Sequence, residues 1–200
     1  SPLTRRPVGT GPFKFKTWEP GSRIVLERNE RYFDSPPNLM AVLLRVIPDQ
    51  NTQFMELRAG NIDIMGLSPL QYLRQTDSAD FNRRYTKYKY LADGYTFLGF
   101  NLERKPFDDV RVRQAIAHAI DKEEIIKGVL MGLGEEATGP YKPGTKWHNP
   151  KVKRYAYDPG KALALLKEAG YEDTDRDGFV DRNGVPFSFT IVTNQGNPLR

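Results

Sequence analysis

Apolar and polar residues alternate with a period of two early in the chain, which predicts β-strands. The alternation begins at 13–16, and a Pro-Gly turn at 20–21 leads to a returning strand at 24–29, so the two form a hairpin-like pair. The β-branched and apolar run at 42–47 ends at Pro48 and predicts an interior strand. Further strands are predicted at 62–66, 85–90, 95–101 and 187–192.

Apolar residues recur with helical spacing in the second half of the chain. The recurrence at i, i+3, i+4, i+7 and i+8 from Val112 predicts a helix over 109–120. Asp121, with Glu124 three residues later, forms a capping-box pattern for a second helix that runs to Gly132. Other helices are predicted at 52–59, 69–74 and 158–170. Because strands and helices alternate along the chain, the predicted class is α/β.

The composition describes a folded chain whose charge is spread along its length. Of its 200 residues, 38% are hydrophobic and 28% are charged, and a chain of this length forms about one to two domains. No apolar run approaches the roughly 18 residues that a membrane-spanning helix needs. The net charge of +5 is dispersed among acidic residues, whereas nucleic-acid-binding domains concentrate their cations on one face. We therefore expect no nucleic-acid partner.

Residue types that carry catalysis are sparse in this sequence. The chain has no cysteine and only two histidines, His118 and His148, which excludes thiolate zinc sites, iron–sulfur clusters and cysteine nucleophiles. His118 falls beside the apolar face of helix 109–120 and is interpreted as a partly exposed helix residue, with a general base as the alternative. Nucleophile-elbow, P-loop, zinc-protease and dinucleotide-binding motifs are absent from the sequence. We expect a protein that is not an enzyme, and a hydrolase is the alternative.

One acidic segment matches much of a calcium-binding loop. The sequence D-T-D-R-D-G-F-V-D at 173–181 places carboxylates at positions 1, 3, 5 and 9 and glycine at position 6. The candidate metal ligands are Asp173, Asp175, Asp177, Phe179 and Asp181. Position 12 is Gly184, where a bidentate glutamate would close the coordination shell. The sequence therefore leaves two interpretations, a structural calcium ion or a plain acidic turn. No other cofactor is expected.

Several ordered segments together resemble one family. The matching segments are G-T-G-P-F at 9–13, N-E-R-Y-F at 29–33, L-R-A-G-N-I-D-I at 57–64, F-N-L at 100–102, K-P-F-D-D-V-R-V-R-Q-A at 105–115 and Y-D-P-G-K-A at 157–162. The stretch from 100 to 115 is the most specific of them. On these motifs the chain is identified as a member of the extracytoplasmic solute-binding proteins of ABC importers, family 5, the dipeptide, oligopeptide and nickel type.

The resemblance implies a fragment of a type II (cluster C) periplasmic-binding-protein fold, with mixed β-sheets flanked by helices. Residues 1–92 would belong to the first lobe, lobe I, and 93–200 to the hinge crossing and the incomplete start of the other lobe, lobe III. We expect an internal piece of a longer, monomeric protein. It would capture a peptide or other small solute in the periplasm or at the outer face of the cytoplasmic membrane and deliver it to an ABC permease. A calcium-dependent interaction module is an alternative function.

The resemblance also implies which residues face the cargo. In peptide-binding members, the segment after I-D-I and the hinge strand face the cleft, and here these are 65–68 and 95–101. The candidate ligand-binding residues are Gly66, Leu67, Ser68, Tyr95, Phe97 and Asn101. Strand edges and aromatic walls suit an extended peptide. Ordinary strand core is the alternative interpretation of Tyr95 and Phe97.

Two arginines of the most specific motif could suggest an anion site. Arg111 and Arg113 lie near the start of helix 109–120, where a cation opposes the helix dipole. We therefore interpret both as structural, pairing with Asp108, with Asp109 or with the neighbouring lobe.

Overall fold

The computed structural model describes residues 7–194, and the chain divides into two compact units. One unit ends at Leu67 and the other begins at Ser68. The predicted division into lobes after residue 92 concerns the longer protein and stays a prediction. No helix in the described part of the chain is both long and apolar enough to cross a membrane.

Three antiparallel strands in the order β1-β2-β3 form the sheet of the first unit. They are β1 Phe13–Glu19, β2 Arg23–Arg28 and β3 Ala41–Arg45. The turn between β1 and β2 contains Gly21 with a φ of 73°, a left-handed conformation that glycine adopts without strain. Trp18 pairs with Ile24 across the two strands, which confirms the predicted hairpin-like pair.

Strand β3 lies at an edge of this sheet, although its apolar sequence predicts an interior strand. Its ladder partner among the described residues is β2, with Leu43 opposite Val25 and Leu44 opposite Ile24. The side chains of Leu43 and Leu44 remain half exposed, at 51% and 49%. An apolar run predicts that both faces of a strand are buried by other segments, but it does not identify those segments. The prediction of an interior strand is therefore wrong for the described sheet.

Helix α1, Gln50–Ala59, follows β3 and confirms the first predicted helix. Asp49 caps its N-terminus, because its carboxylate accepts a hydrogen bond of 2.7 Å from the amide of Thr52. Glu56 of the helix forms an ion pair with Arg45 of β3, with 2.7 Å between Oε2 and Nη1. This pair ties the helix to the strand before it.

Helices dominate the second unit. It starts with helical residues at 69–75, of which Gln71–Gln75 form a π-helical turn, and this confirms the helix predicted at 69–74. The remaining elements are α2 Ala79–Arg84, α3 Val110–Ala119, α4 Lys122–Gly128, α5 Pro159–Glu168, β4 Asp181–Arg182 and β5 Val185–Pro186. Helix α2 is a short element that the sequence patterns did not predict.

The core of the second unit lies between α3 and α5. Val112 and Ala115 of α3 and Ala162 of α5 have at most 4% of their surface exposed. Alanine side chains allow two helices to approach closely, so these positions form a tight interface. Asp109 and Asp158 cap the two helices by accepting hydrogen bonds from backbone amides in the first turn.

Helix α4 confirms the predicted capping residue but is shorter than expected. The Asp121 carboxylate accepts a hydrogen bond of 2.9 Å from the amide of Glu124. The helix ends at Gly128, before the predicted end at Gly132. Ile125, expected on its apolar face, is 48% exposed, so the described neighbours cover this helix only partly.

Four predicted strands do not join a β-sheet among the described residues. They are 62–66, 85–90, 95–101 and 187–192. Their residue types favour extended backbone, but a ladder also needs a neighbouring strand, and no segment in 7–194 supplies one. Strands β4 and β5 form an unpredicted hairpin instead, because Asn183 and Gly184 adopt φ values of 56° and 72°, as a two-residue hairpin loop requires.

Candidate functional site

The two aromatic residues predicted to face cargo lie next to each other on the surface of the second unit. The ring centroids of Tyr95 and Phe97 are 5.2 Å apart, with an angle of 32° between the planes. Tyr95 is 44% exposed and Phe97 is 71% exposed. The alternative interpretation, ordinary strand core, does not describe either ring in this structure. The pair instead presents an apolar surface to solvent.

These two rings border a small open depression of about 190 Å³. Its lining residues are Tyr95, Thr96, Phe97, Ala137, Gly139 and Pro140. Five of these six residues are apolar or aromatic and none is charged, so the depression offers van der Waals contact rather than an ion pair. The second half of the lining, at 137–140, carries no motif from which its position could be predicted.

Asn101, the third predicted residue of the hinge segment, takes part in a local turn. Its side-chain oxygen accepts a hydrogen bond of 3.1 Å from the amide of Glu103, and its backbone carbonyl accepts one of 3.2 Å from the amide of Arg104. Asn101 does not line the depression beside Tyr95. The structure therefore gives it a turn-forming role and does not place it with the two rings.

The other predicted cargo segment, 66–68, lies where the two units divide. Ser68 caps the helical residues that follow, because its amide donates to Gln71 Oε1 at 2.9 Å and its hydroxyl accepts from the Gln71 amide at 3.2 Å. This is the reciprocal pattern of a capping box. The carbonyl of Gly66 accepts a hydrogen bond of 3.3 Å from Gln50 Nε2, and Leu67 ends the first unit.

A second, larger depression of about 510 Å³ was not predicted. It is lined by Arg74, Glu123, Ile126, Lys127, Gly128, Met131 and Gly132. Its charged side chains are exposed to solvent. Its position beside the end of α4 could not be predicted from the sequence, since Arg74 and the α4 residues that line it are far apart in the chain.

Three of the five predicted metal-ligating residues are close together. Carboxylate oxygens of Asp173, Asp175 and Asp177 all lie within 4.8 Å of one another. The Asp173 carboxylate also accepts hydrogen bonds of 3.1 Å from the amides of Asp177 and Gly178. Phe179 follows in the same loop with its ring 70% exposed. Three clustered carboxylates are suitable oxygen ligands for a hard cation.

The fourth carboxylate, that of Asp181, has other partners. Its Oδ2 accepts hydrogen bonds from the Thr174 hydroxyl at 2.6 Å and the Thr174 amide at 3.0 Å. Its Oδ1 accepts one of 3.1 Å from the amide of Gly184. These bonds, with the Thr174 hydroxyl first, hold the pKa of the Asp181 carboxyl below its usual range. Asp181 is only 7% exposed, and its hydrogen bonds connect the loop 173–181 to the β4–β5 hairpin.

Arg111 and Arg113 have the structural roles that were expected. The Arg111 guanidinium contacts the Asp109 carboxylate at 2.6 Å and lowers the pKa of that carboxyl. Its Nη1 also donates to the carbonyl of Glu168 at the end of α5. Arg113 donates to the backbone carbonyls of Phe107 and Asp108 at 2.6 and 3.2 Å. Arg111 thus joins the start of α3 to the end of α5.

His118 is buried, so its interpretation as a partly exposed helix residue is wrong. It is 6% exposed, and its Nδ1 lies 2.7 Å from the carbonyl oxygen of Ala156. The ring of Tyr155 packs edge-on against it, with centroids 5.4 Å apart. The segment 153–158 covers the histidine, and this long-range packing is absent from the helical pattern of α3. His118 therefore holds that segment against the helix.

Solved solute-binding proteins share this fold. The structure of the oligopeptide-binding protein AppA from Bacillus subtilis in complex with a nonapeptide is 40% identical and covers 97% of the chain, with a TM-score of 0.77. NikZ from Campylobacter jejuni in complex with Ni(L-His) is 31% identical and covers 100% of the chain, with a TM-score of 0.84. The chain covers 38% and 39% of these two structures. The expected class, a fragment of a periplasmic-binding-protein fold, is confirmed.

The family follows from the sequence match. Residues 1–200 match the model of the bacterial extracellular solute-binding proteins, family 5 Middle, and the chain belongs to this family. The oligopeptide-binding protein AppA of Bacillus subtilis is 39% identical over 202 residues, which are 98% of the chain and 36% of AppA. The chain therefore spans little more than a third of this curated relative.

Proposed function

We propose that this chain is part of the substrate-binding component of an ABC importer, which captures a peptide-like solute and delivers it to a membrane permease. The observation that carries the proposal is the family match along all 200 residues. The relative with 39% identity is named an oligopeptide-binding protein. Family membership also supports a location outside the cytoplasmic membrane, in the periplasm or on the membrane's outer face. We further propose that the full-length protein is a monomer.

A peptide-like cargo agrees with the surface beside Tyr95 and Phe97. Peptides carry apolar side chains along a polar backbone, and two exposed rings give such side chains a complementary wall. The two similar solved structures contain a nonapeptide and Ni(L-His), so one fold accommodates unlike solutes. Cargo preference therefore depends on local lining, and the uncharged lining here favours apolar side chains.

The protein binds its solute without covalent chemistry under this proposal. The named relatives are binding proteins, and they lend no support to a hydrolase or to a calcium-dependent interaction module. A structural calcium ion at the loop 173–181 stays a separate prediction, which the three clustered carboxylates support. Such an ion would stabilise the loop and is not required for cargo capture.

The test uses the full-length protein and a panel of peptides two to nine residues long. We expect at least one peptide to raise the melting temperature in a concentration-dependent way, because a ligand that binds only the folded state stabilises it. Phe97→Ala should reduce this shift. The matched control Phe33→Ala removes another highly exposed ring, 83% exposed, and should leave the shift unchanged. Absence of any shift across the panel would contradict a peptide cargo.

A further inference from the structure

The net positive charge of the chain arises from one stretch of its sequence. Residues 137–157 form the longest part of the chain without an acidic side chain. The five cations of this stretch are Lys142, Lys146, Lys151, Lys153 and Arg154. The other 25 basic residues are matched by the 25 acidic residues of the chain. The whole net charge of +5 therefore belongs to this stretch, and its residues 141–154 are called the cationic loop.

Most cations of the cationic loop are not neutralised. Lys146, Lys151 and Lys153 are exposed, and no carboxylate of the described residues lies within ion-pair distance of any of them. Arg154 reaches Glu136 only at 3.6 Å. Three lysine ammonium groups therefore face solvent without a carboxylate partner.

Two aromatic rings are exposed in the same loop. Trp147 is 63% exposed and Tyr141 is 53% exposed, and their ring centroids lie 6.3 Å apart. Lys146 Nζ lies 4.7 Å from the centroid of the Trp147 ring. The loop is folded on itself, because the carbonyl of Lys142 accepts hydrogen bonds from the hydroxyl and the amide of Thr145, at 2.8 and 3.3 Å. The rings and the cations thus form one surface feature.

A second segment of similar composition contacts the cationic loop. Lys142 Nζ donates a hydrogen bond of 3.2 Å to the carbonyl of Leu91, which follows the sequence K-Y-K-Y at 87–90. Tyr88 and Tyr90 are 79% and 83% exposed, and Lys89 is exposed as well. Lysines and aromatic rings therefore share a surface built from two segments that are distant in the sequence.

The residue types of this surface favour a lipid bilayer over a folded protein as its partner. Four of the five cations in the loop are lysines, whereas protein interfaces are depleted in lysine and enriched in arginine. Tryptophan and tyrosine concentrate where a membrane meets water, because their rings are apolar with a polar edge. Long lysine side chains extend from such a position to phosphate groups.

The same surface is less suitable for single-stranded nucleic acid. Bases bind such proteins by stacking on free faces of aromatic rings. Both Tyr141 and Lys146 already pack against the Trp147 ring, so little of a free face is left for a base. Anionic headgroups need only the lysines, and the interface needs only the exposed edges of the rings.

We propose that the cationic loop and the segment 87–91 form a docking surface for a bilayer that contains anionic phospholipids. The lysines bind headgroup phosphates, and the rings of Tyr141 and Trp147 lie at headgroup depth. The contact is peripheral and does not involve the cargo. It would keep the protein beside a membrane surface and so raise its local concentration near any partner in that membrane.

The experiment measures sedimentation of the full-length protein with lipid vesicles. One set of vesicles is phosphatidylcholine alone, and the other contains about one quarter phosphatidylglycerol. At about 0.05 M salt the wild type should bind the anionic vesicles at least about tenfold more tightly than the neutral ones. At about 0.5 M salt this difference should disappear, because salt screens exposed charges.

Two triple variants test which lysines are responsible. The loop variant combines Lys146→Gln, Lys151→Gln and Lys153→Gln. The control removes the same charge from exposed lysines elsewhere and combines Lys14→Gln, Lys105→Gln and Lys161→Gln. The loop variant should bind anionic vesicles about a hundredfold more weakly, since each lysine at an anionic surface contributes close to a factor of five. The control should lose less than about threefold.

A ring variant tests the aromatic part of the surface. Trp147→Ala should weaken binding to anionic vesicles about tenfold, and Phe33→Ala, which removes another exposed ring, should leave it unchanged. Melting temperatures show whether each variant is folded. The lysine and ring variants change different residues, so one of them tests the surface even if the other does not fold.

The outcomes separate this docking surface from the proposed function. Equal binding of the wild type to both kinds of vesicle would overturn it, and so would an equal loss in the two triple variants. Tighter binding to a thymidine oligonucleotide than to anionic vesicles would also overturn it, in favour of nucleic acid. Peptide binding by the loop variant should equal that of the wild type, so the proposed function is tested separately.

Discussion

The α3–α5 pair and the acidic loop that follows it are neighbours in the chain but are stabilised differently. Between the helices, Val112 is fully buried and packs with alanines whose exposure is at most 4%. In the loop 173–181, carboxylates accept hydrogen bonds from backbone amides. The buried residue of this loop is Asp181, which is 7% exposed. The helices depend on apolar burial, whereas the loop depends on hydrogen bonds to charged groups. Substitutions in the two regions should therefore change the stability of the folded protein by different amounts and with different pH dependence.

The largest effect is expected in the helix pair. Val112→Asp in the full-length protein should lower the free energy of unfolding by about 4 kcal/mol, because a charge would be buried without a partner. The control is Val110→Asp on the same helix, where the side chain is 51% exposed and an acidic residue in the first turn is favourable. Urea unfolding measures both variants, and equal losses would show that this interface is not the core.

The second effect concerns Asp181 and depends on pH. Hydrogen bonds from Thr174 lower the pKa of this carboxyl in the folded state, so the folded protein binds fewer protons than the unfolded chain. Its stabilising contribution is complete above the ordinary carboxyl pKa of about 4 and is lost as pH falls through the lowered value. Asp181→Asn should therefore lower the melting temperature at pH 7, and the difference from wild type should shrink below about pH 4.

The control for this pH dependence is Asp175→Asn. Asp175 is exposed and accepts one hydrogen bond, of 3.3 Å, from the amide of Asp177. Without added calcium, its replacement should change the melting temperature less than Asp181→Asn does. A difference at Asp181 that did not depend on pH would contradict the assignment of its stabilising role to the ionised carboxylate.

A smaller effect is expected from calcium at the loop. If the three clustered carboxylates bind the ion, free calcium at ten times its dissociation constant should stabilise the folded protein by about 1.4 kcal/mol. Titration calorimetry and melting measure this directly. Asp175→Asn should abolish the response, and Asp34→Asn, which removes an exposed carboxylate elsewhere, should preserve it. A wild type with neither binding heat nor a melting shift would leave the plain acidic turn as the correct interpretation.

The smallest effect is expected at Arg176, whose backbone is strained. Its φ is 64°, in the left-handed region that non-glycine residues seldom adopt. Arg176→Gly should raise the free energy of unfolding by about 0.5 kcal/mol, because relief of strain exceeds the gain of freedom in the unfolded chain. Arg104→Gly, in a turn without positive φ, should be destabilising. Stabilisation by both substitutions would exclude strain as the cause.

Local sequence signals were enough to predict most helices of this chain, although the short helix α2 was not predicted. The caps at Asp121 and Asp158 and the apolar spacing from Val112 act within a few residues, so α3, α4 and α5 were found with small errors at their ends. The hairpin at Asn183-Gly184 was not predicted, although this dipeptide favours a two-residue hairpin loop and could have indicated it.

Features that depend on distant residues could not be predicted. The strand expected at 95–101 has the right residue types, but its ladder requires a neighbour that sequence preferences do not identify. Burial of His118 depends on Tyr155 and Ala156, which lie on another segment. Residues of 137–140 lie beside Tyr95, and Lys142 of the same loop contacts Leu91 and Asp93, although the two segments are far apart in the sequence. The aromatic half of the candidate site was thus predictable and its other half was not.

The most direct test of the central claim is equilibrium dialysis of the full-length protein against a peptide mixture, followed by mass spectrometry of what is retained. If the protein captures peptides for import, a subset of the peptides should be retained in a saturable manner and recovered with unchanged mass. Retention of no peptide at saturating protein, or recovery of cleaved products, would contradict the account.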